Sequence, residues 1–357
     1  MEKILVLNPG STSTKIAVYE GETPMFVESI VHTSEELAPF AHVVEQYEFR
    51  RDVVKKCLEE HGVDVKDLAA IVSRGGLLAP IRHGAYEVNE DMLWQLRYNP
   101  RNEHASNVGA LIAYAIGQEV GIPAYIYDGV TVEELTPINK ITGLPKYARK
   151  GMGHNLNTRA AAMRYAKENG KGYDEITVIV AHLGGGISVN LHEMGRIADF
   201  ISDEEGGFSP ERSGGLPMFD VIRDCYKSGL DYDAFMRQVK NNGGMFAHLG
   251  TKDAREVEKR AKEGDEHAAL IYDAMALNVA KNIGKIVPGA EHKIDAVILT
   301  GGIAYSEYFC ELIAKRVRYI APVVVYPGEN EMEALAKGCL RVLHGEEKAN
   351  IYVKQQI

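Results

Sequence analysis

Residues 3–19 read KILVLNPGSTSTKIAVY, and this stretch decides the class of fold. Residues 3–7 form a short apolar run and residues 14–19 resume as a second one. Between them Pro9 and Gly10 punctuate a polar turn whose Ser and Thr side chains bond locally to backbone. The stretch predicts a β-hairpin with a small, hydroxyl-rich tip. The same design returns at mid-chain, where residues 175–181 (EITVIVA) and 187–191 (ISVNL) flank the turn HLGGG at 182–186. A second pair of segments echoes further along each half: AIVSRGG at 70–76 and AVILTGG at 296–302. Two hairpins, each followed by a strand ending in a hydroxyl residue near Gly-Gly, predict a duplicated α/β unit.

Helical segments fill the intervals. The pattern predicts helices over 43–60, 105–120, 157–168, 267–287 and 331–343, with a strand at 124–127. Thr251 is the expected N-cap of a helix over 252–262. Charge and glycines over 146–153 (KYARKGMG) suggest a domain boundary there. A chain of 357 residues exceeds one ordinary core and predicts about two domains. It carries 40 basic and 50 acidic residues, a net charge of −10, which disfavours nucleic acid and anionic lipid as partners. No apolar run approaches the ~18 residues of a spanning helix, and the run at 4–7 is too short for a signal peptide. Four scattered cysteines without a C-x-x-C spacing fit reduced thiols better than a disulfide scaffold or a zinc site. These features predict a cytoplasmic protein with no nucleic-acid or membrane partner.

Backbone N–H groups in glycine- and serine-rich turns cradle phosphate oxygens. Asn8, Ser11, Ser13 and Lys15 add donors and a charge to the first turn; His182, Gly184, Gly185 and Gly186 form the second. One such turn alone reads as a plain hairpin, whereas two in a duplicated frame favour phosphate binding. No Walker loop is present, so an ATP site here is of another design. Asp128 follows a strand, where carboxylates line ligand crevices but also cap turns. Glu331 begins a helix and complements its dipole or holds a metal. Arg74 and Arg212 stand among small residues, where a guanidinium fork suits a carboxylate or phosphate, although a salt-bridged arginine is the commoner case.

NPGSTSTK, AHLGGG, SPERSGG and LTGGI, in this order over residues 4–338, resemble the butyrate kinase branch of the acetate kinase family. That family is akin to sugar kinases, actin and heat-shock chaperones. The resemblance implies two duplicated actin-like (ribonuclease H-like) ATPase domains with a nucleotide cleft between them. The first would span 1–149, joined by the C-terminal segment at about 334–357; the second, 150–333, would bind nucleotide and dimerise. ATP or ADP and Mg2+ are the implied cofactors, and a small carboxylic acid the substrate. Position by position, Asn8, Ser11, Ser13 and Lys15 match a first phosphate loop, and His182 to Gly186 a second. Arg74 matches an acyl-substrate arginine, Asp128 an active-site aspartate and Arg212 a transition-state arginine. Asp253, Ala254, Arg255, Gly301, Gly302 and Ile303 match nucleotide-binding segments. Asn8, Asp128 and Glu331 match the magnesium site.

The chain departs from acetate kinases at Gly185, where they have Asn, and at MGHNLN, where they carry F-H-G-T-S-H. His154 falls near their transition-state histidine and His104 near another active-site histidine. A carboxylic acid is ionised at neutral pH, so its attack on ATP needs no general base, only positioning and charge neutralisation. Competing readings are an acetate- or propionate-preferring kinase, a sugar kinase with Asp128 as base, and a non-metabolic actin-like ATPase. The arginine pair disfavours the last two. Gly75 and Gly76, beside Arg74, are expected to leave room for a butyrate-sized tail lined by Leu77 and Leu78. The apolar circumference of 267–287 predicts self-association.

Overall fold

The hairpin forms as predicted: β1 (Lys3–Pro9) and β2 (Ser13–Glu20) pair antiparallel, with Asn8 opposite Lys15 and Pro9 opposite Thr14. Ile4, Leu5, Val6 and Leu7 are all fully buried, each stabilising the fold by roughly 1.5–3 kcal/mol. A strand buried on both faces must be covered on both, which explains its continuous apolar run. The computed structural model describes residues 1–355, so the last two residues of the segment expected over 334–357 lie outside the described residues.

Strand β3 (Thr23–Val31) extends the hairpin, and short α1 (Ser34–Leu37) and then α2 (Tyr47–Glu60) follow. The predicted helix 43–60 is thus split, its first turn being a 3-10 turn over Val43–Gln46. Next come β4 (Leu68–Arg74), β5 (Ala85–Glu87), α3 (Glu90–Tyr98), α4 (Asn107–Val120) and β6 (Ala124–Tyr127). The second half opens with α5 (Asn155–Glu168), β7 (Thr177–Leu183), β8 (Ile187–Glu193) and β9 (Arg196–Ile201). A helical stretch continues with α6 (Met218–Lys227), α7 (Tyr232–Lys240), α8 (Gly244–Leu249), α9 (Ala254–Lys262) and α10 (Glu266–Ile286). The chain ends with β10 (Ala296–Gly301), α11 (Glu307–Val317), β11 (Val323–Pro327), α12 (Glu331–Leu343) and β12 (Asn350–Ile351).

The strands form two sheets, ordered β12-β5-β6-β4-β1-β2-β3 and β11-β10-β7-β8-β9. In the first, β1 pairs antiparallel with β2 and parallel with β4, and β4 runs parallel to β6. In the second, β7 pairs antiparallel with β8 and parallel with β10, and β10 runs parallel to β11. The order β6-β4-β1-β2-β3 is therefore repeated as β11-β10-β7-β8-β9. This is the duplication that the sequence echoes predicted.

The chain divides into two units, Met1–Glu133 with Asn330–Ile357, and Glu134–Glu329. The division falls earlier than the boundary expected at 146–153. Thr136 N–H donates to the Ala198 carbonyl, and Arg149 binds Asp199 and Glu205, so residues 134–149 are sewn onto β9. In the first unit α4 and α12 pack on β1 and β4. In the second, α10 packs between its neighbours, burying Ile271, Met275, Val279, Ile283 and Ile286. The apolar circumference that suggested a subunit contact is thus largely satisfied within this unit. The broad exposed apolar surface lies elsewhere: α6 and α7 bury no residue, and Phe219 and Tyr226 are 83% and 87% exposed. No helix among the described residues is long and apolar enough to cross a membrane.

Candidate active site

In the first unit three of the predicted residues meet. Asn8 ends the buried run of β1 and donates from Nδ2 to Glu331 Oε2 at 2.7 Å. Arg74 closes β4 and reaches both Glu331 oxygens, at 3.0 and 3.2 Å. Glu331 opens α12, where its charge complements the helix dipole. Asp128 follows β6, whose Tyr127 lies in register beside Arg74. It is buried, adopts a left-handed backbone (φ 43°), and accepts the Gly84 N–H at 2.7 Å. Both readings of Asp128 thus have a foothold: it is a turn residue, and it stands at a strand end beside Arg74.

Near Arg74, His104 has an exposed edge, and its Nδ1 accepts the Ser106 N–H at 3.1 Å. Burial first, and then the positive charge of Arg74, push its pKa below the ordinary 6.5. The imidazole is therefore neutral at pH 7, with its proton on Nε2. The glycines after Arg74 do not leave room for a substrate tail. A Cβ on Gly76 would sit 2.7 Å from Leu96 Cδ2 and 2.8 Å from the Asn107 Cα, and one on Gly75 3.0 Å from Ile126. Gly76 is needed for the close approach of α4, whose Asn107 Oδ1 accepts the Leu77 N–H at 2.8 Å. Leu78 is fully buried in the core.

The second cluster lies in the other unit. His182, next to the end of β7, accepts at Nδ1 from Asn157 Nδ2 at 2.8 Å and has its Nε2 3.2 Å from Glu329. His154 stacks on it, ring centroids 4.0 Å apart, with Nδ1 3.1 Å from Ser188 Oγ. The glycine loop is strapped down by the SPERSGG turn. Ser209 Oγ donates to the Gly185 carbonyl at 2.6 Å and accepts the Arg212 N–H at 3.2 Å. The Arg212 guanidinium covers Gly186 so closely that a Cβ there would fall 2.6 Å from Nη1. Asp203 holds that guanidinium at 2.7 Å. Gly185 has open space beside it, its nearest neighbour being Glu211 at 3.6 Å.

A cavity of about 1120 Å³ opens beside this loop, lined by Gly184, Gly185, Asp253, Arg255, Gly302 and Ile303 among others. The predicted nucleotide segments thus converge on one hollow of sufficient size. Gly301 supports it from behind, its backbone at φ 94° and pressed against the Leu183 carbonyl. The cap of α9 is Asp253, not Thr251; Thr251 Oγ1 instead accepts the Asp253 N–H. The side-chain hydrogen bonds from Arg255 hold the Asp253 carboxyl down to about 2. Ser11 and Lys15 are exposed on the first hairpin and Ser13 is half-buried there.

Sequence reading missed Arg50, Asp203, Glu329 and Asn157. For Arg50 a signal existed: with Val54, Cys57 and Leu58 it falls on the buried stripe of α2. Among the described residues, one trio of Cys, His and carboxylate ligand atoms lies within 4.8 Å, Glu28, Cys57 and His61, away from the predicted site. Cys57 there is an ordinary buried thiol, pushed by burial up to about 12.

The Acetokinase family profile matches residues 127–324. Butyrate kinase 1 of Clostridium acetobutylicum is 46% identical over 354 residues, 99% of this chain and 100% of that protein. Butyrate kinase 2 of the same organism is 46% identical over 352 residues, 98% of this chain and 99% of that one. Among solved structures, acetate kinase of Porphyromonas gingivalis matches with a TM-score of 0.78 at 18% identity, over 96% of this chain and 100% of its own. The repeated five-strand order is thus the acetate kinase form of the duplicated actin-like α/β fold. The hairpin turns at 8–13 and 182–186 and the arginines at 74 and 212 stand in a chain nearly half identical to these butyrate kinases along almost its whole length, and the chain belongs to the acetokinase family.

Proposed function

We propose that the chain phosphorylates a short-chain carboxylic acid with ATP, reversibly, by direct in-line transfer. The observation that carries this reading is Arg74, whose guanidinium grips both oxygens of the Glu331 carboxylate at a strand end. A guanidinium that holds one carboxylate by Nη1 is suited to presenting another. The acid's oxygen attacks the γ-phosphorus, the bond to the β-bridging oxygen breaks, and ADP leaves with those electrons. No proton is transferred, in keeping with a neutral His104 beside Arg74. Arg212 is assigned to the negative charge of the transferring group and His154 and His182 to its flank. Gly184 to Gly186, Asp253, Arg255 and Gly301 to Ile303 are assigned to the nucleotide, and Asn8 to Lys15 to its phosphates.

Asn8, Asp128 and Glu331 are assigned to Mg2+. Their carboxylate and amide oxygens are the hard donors that this ion takes, and Asn8 Oδ1 stays available because Nδ2 faces Glu331. When bound, the ion neutralises charge on the triphosphate. Butyrate or a branched relative is proposed as the preferred acid. The names of the 46%-identical relatives support this, since the room beside Gly76 does not. A cytoplasmic place and self-association belong to the same proposal; the apolar face of α6 and α7 supports the latter. The test is incubation with ATP and acetate, propionate, butyrate or isobutyrate, trapping acyl phosphate with hydroxylamine. Hydroxamate from butyrate or isobutyrate at the highest kcat/KM supports the reading. Preference for acetate overturns the acid, and no hydroxamate from any acid overturns the reaction.

A further inference from the structure

Arg50 is wholly buried on α2, and among the described residues no carboxylate pairs with it. Its guanidinium is spent instead on the turn between β1 and β2. Nη1 reaches the carbonyls of Gly10 and Ser13, both at 2.9 Å, and Thr14 Oγ1 at 3.1 Å. Nη2 donates to the Ser11 carbonyl at 3.0 Å, and Gln46 Oε1 holds Nε and Nη2 at 3.1 and 2.9 Å. The remaining carbonyl of the turn, that of Thr12, accepts the His32 N–H at 2.8 Å. Four successive carbonyls are therefore bound. The N–H groups of Ser11 and Thr12 have no acceptor among the described residues, and both residues are exposed.

Burying an unpaired charge is expensive unless something supplies the opposite charge. Carbonyl dipoles meet part of that need, and an anion on the outer side of the turn would meet the rest. Binding the carbonyls from behind also locks the peptide planes so that their N–H groups form an anion-binding nest before any ligand arrives. We infer that Arg50 is the positioning residue of the first phosphate loop, holding its backbone in the ligand-ready form and supplying the positive charge behind it.

The inference rests on reading residues 8–15 as a phosphate loop, and the experiment separates the two. Thermal shifts of the full-length enzyme with AMP and with ATP isolate the contribution of the terminal phosphates. Wild type is expected to gain more from ATP than from AMP. Arg50→Met should keep the AMP gain and lose the ATP excess, with ATP affinity falling about 10-fold or more, as loss of charge-assisted contacts implies. KM for the acid should stay unchanged. Arg50→Lys keeps the charge without the fork and should restore ATP affinity in part. An ATP excess that survives in Arg50→Met overturns the inference. A wild type with no ATP excess overturns the phosphate-loop reading itself. Should Arg50→Met not fold, Arg50→Lys decides: wild-type ATP affinity in it overturns the inference, and a several-fold loss with AMP binding intact supports it.

Discussion

Arg74 and Arg212 hold their carboxylate partners in ion pairs that are only partly buried, so neither is a major support of the fold. Arg74→Ala and Arg212→Ala are each expected to cost ~1 kcal/mol or less in stability. Activity should fall by about 10³-fold or more, as for the loss of an arginine that faces a transferring phosphoryl group. Denaturation midpoints and kcat measured on the same preparations check both halves. At His104 the expected effect is on pH dependence. The unfolded histidine takes a proton near pH 6.5, whereas the folded one does so only at lower pH. The unfolded state therefore binds more protons in that window. Stability is full above 6.5 and declines as pH falls through the folded value. Urea midpoints between about pH 7.5 and 5 should show this decline. In His104→Asn, whose amide oxygen replaces the Nδ1 acceptor, the slope should be shallower.

The element that connects the site to the core is α12. Its first residue carries Glu331, and its buried face lies against β1, β4 and β6. Gly338 lets it come that close: a Cβ there would fall 2.6–2.7 Å from the ring carbons of Tyr127. That ring is fixed, because its hydroxyl is hydrogen-bonded to both Glu347 and Arg341 at 2.6 Å. Gly338→Ala should gain roughly 1 kcal/mol of helix propensity. It should lose about 1–3 kcal/mol to overpacking. The expected outcome is a lower Tm together with reduced kcat, since Glu331 moves with the helix. An unchanged Tm would mean that the sheet yields more easily than this geometry suggests.

For the molecule as a whole, α6 and α7 present an uncovered apolar surface. Met218, Phe219, Ile222, Tyr226 and Tyr232 lie exposed on these two helices, neither of which buries a residue, and Leu230 lies exposed in the turn between them. Contiguous apolar area of this kind marks an association surface. The double variant Phe219→Glu with Tyr226→Glu is expected to sediment as a monomer at micromolar concentration, while the wild type sediments as a dimer or larger. Because the substitutions lie away from the core, the Tm of the dissociated unit should change little. A monomeric wild type would remove self-association from the proposed function.

Local chemistry made much of this protein readable in advance. Alternation of apolar runs with Gly, Pro and Ser turns is a short-range code, so both hairpins and the echoed strands at 70–76 and 296–302 were legible. The amphipathic edge strand β3 was not, because its face alternates exposed and half-buried residues, nor were the short strands β5 and β12, which pair with each other across more than 250 residues. Glycine is ambiguous in the same way. The glycines at 184–186 mark a loop, but only packing tells that Gly186 makes way for Arg212 and Gly76 for α4. An absent side chain does not reveal whether solvent, substrate or another helix occupies its place, and beside Gly76 it is Leu96 and Asn107, not an acyl tail. Arg50 was missed for the converse reason. The two adjacent arginines in FRRD read as surface charge until the fold turns Arg50 inward onto four residues 36 to 40 positions away. Sequence by itself determined the repeated strand–turn–strand units and the residue types at their tips, since those depend on neighbours in the chain. Tertiary structure alone decided which carboxylate meets which guanidinium and which glycine is filled, since those depend on desolvation and contact between segments hundreds of residues apart.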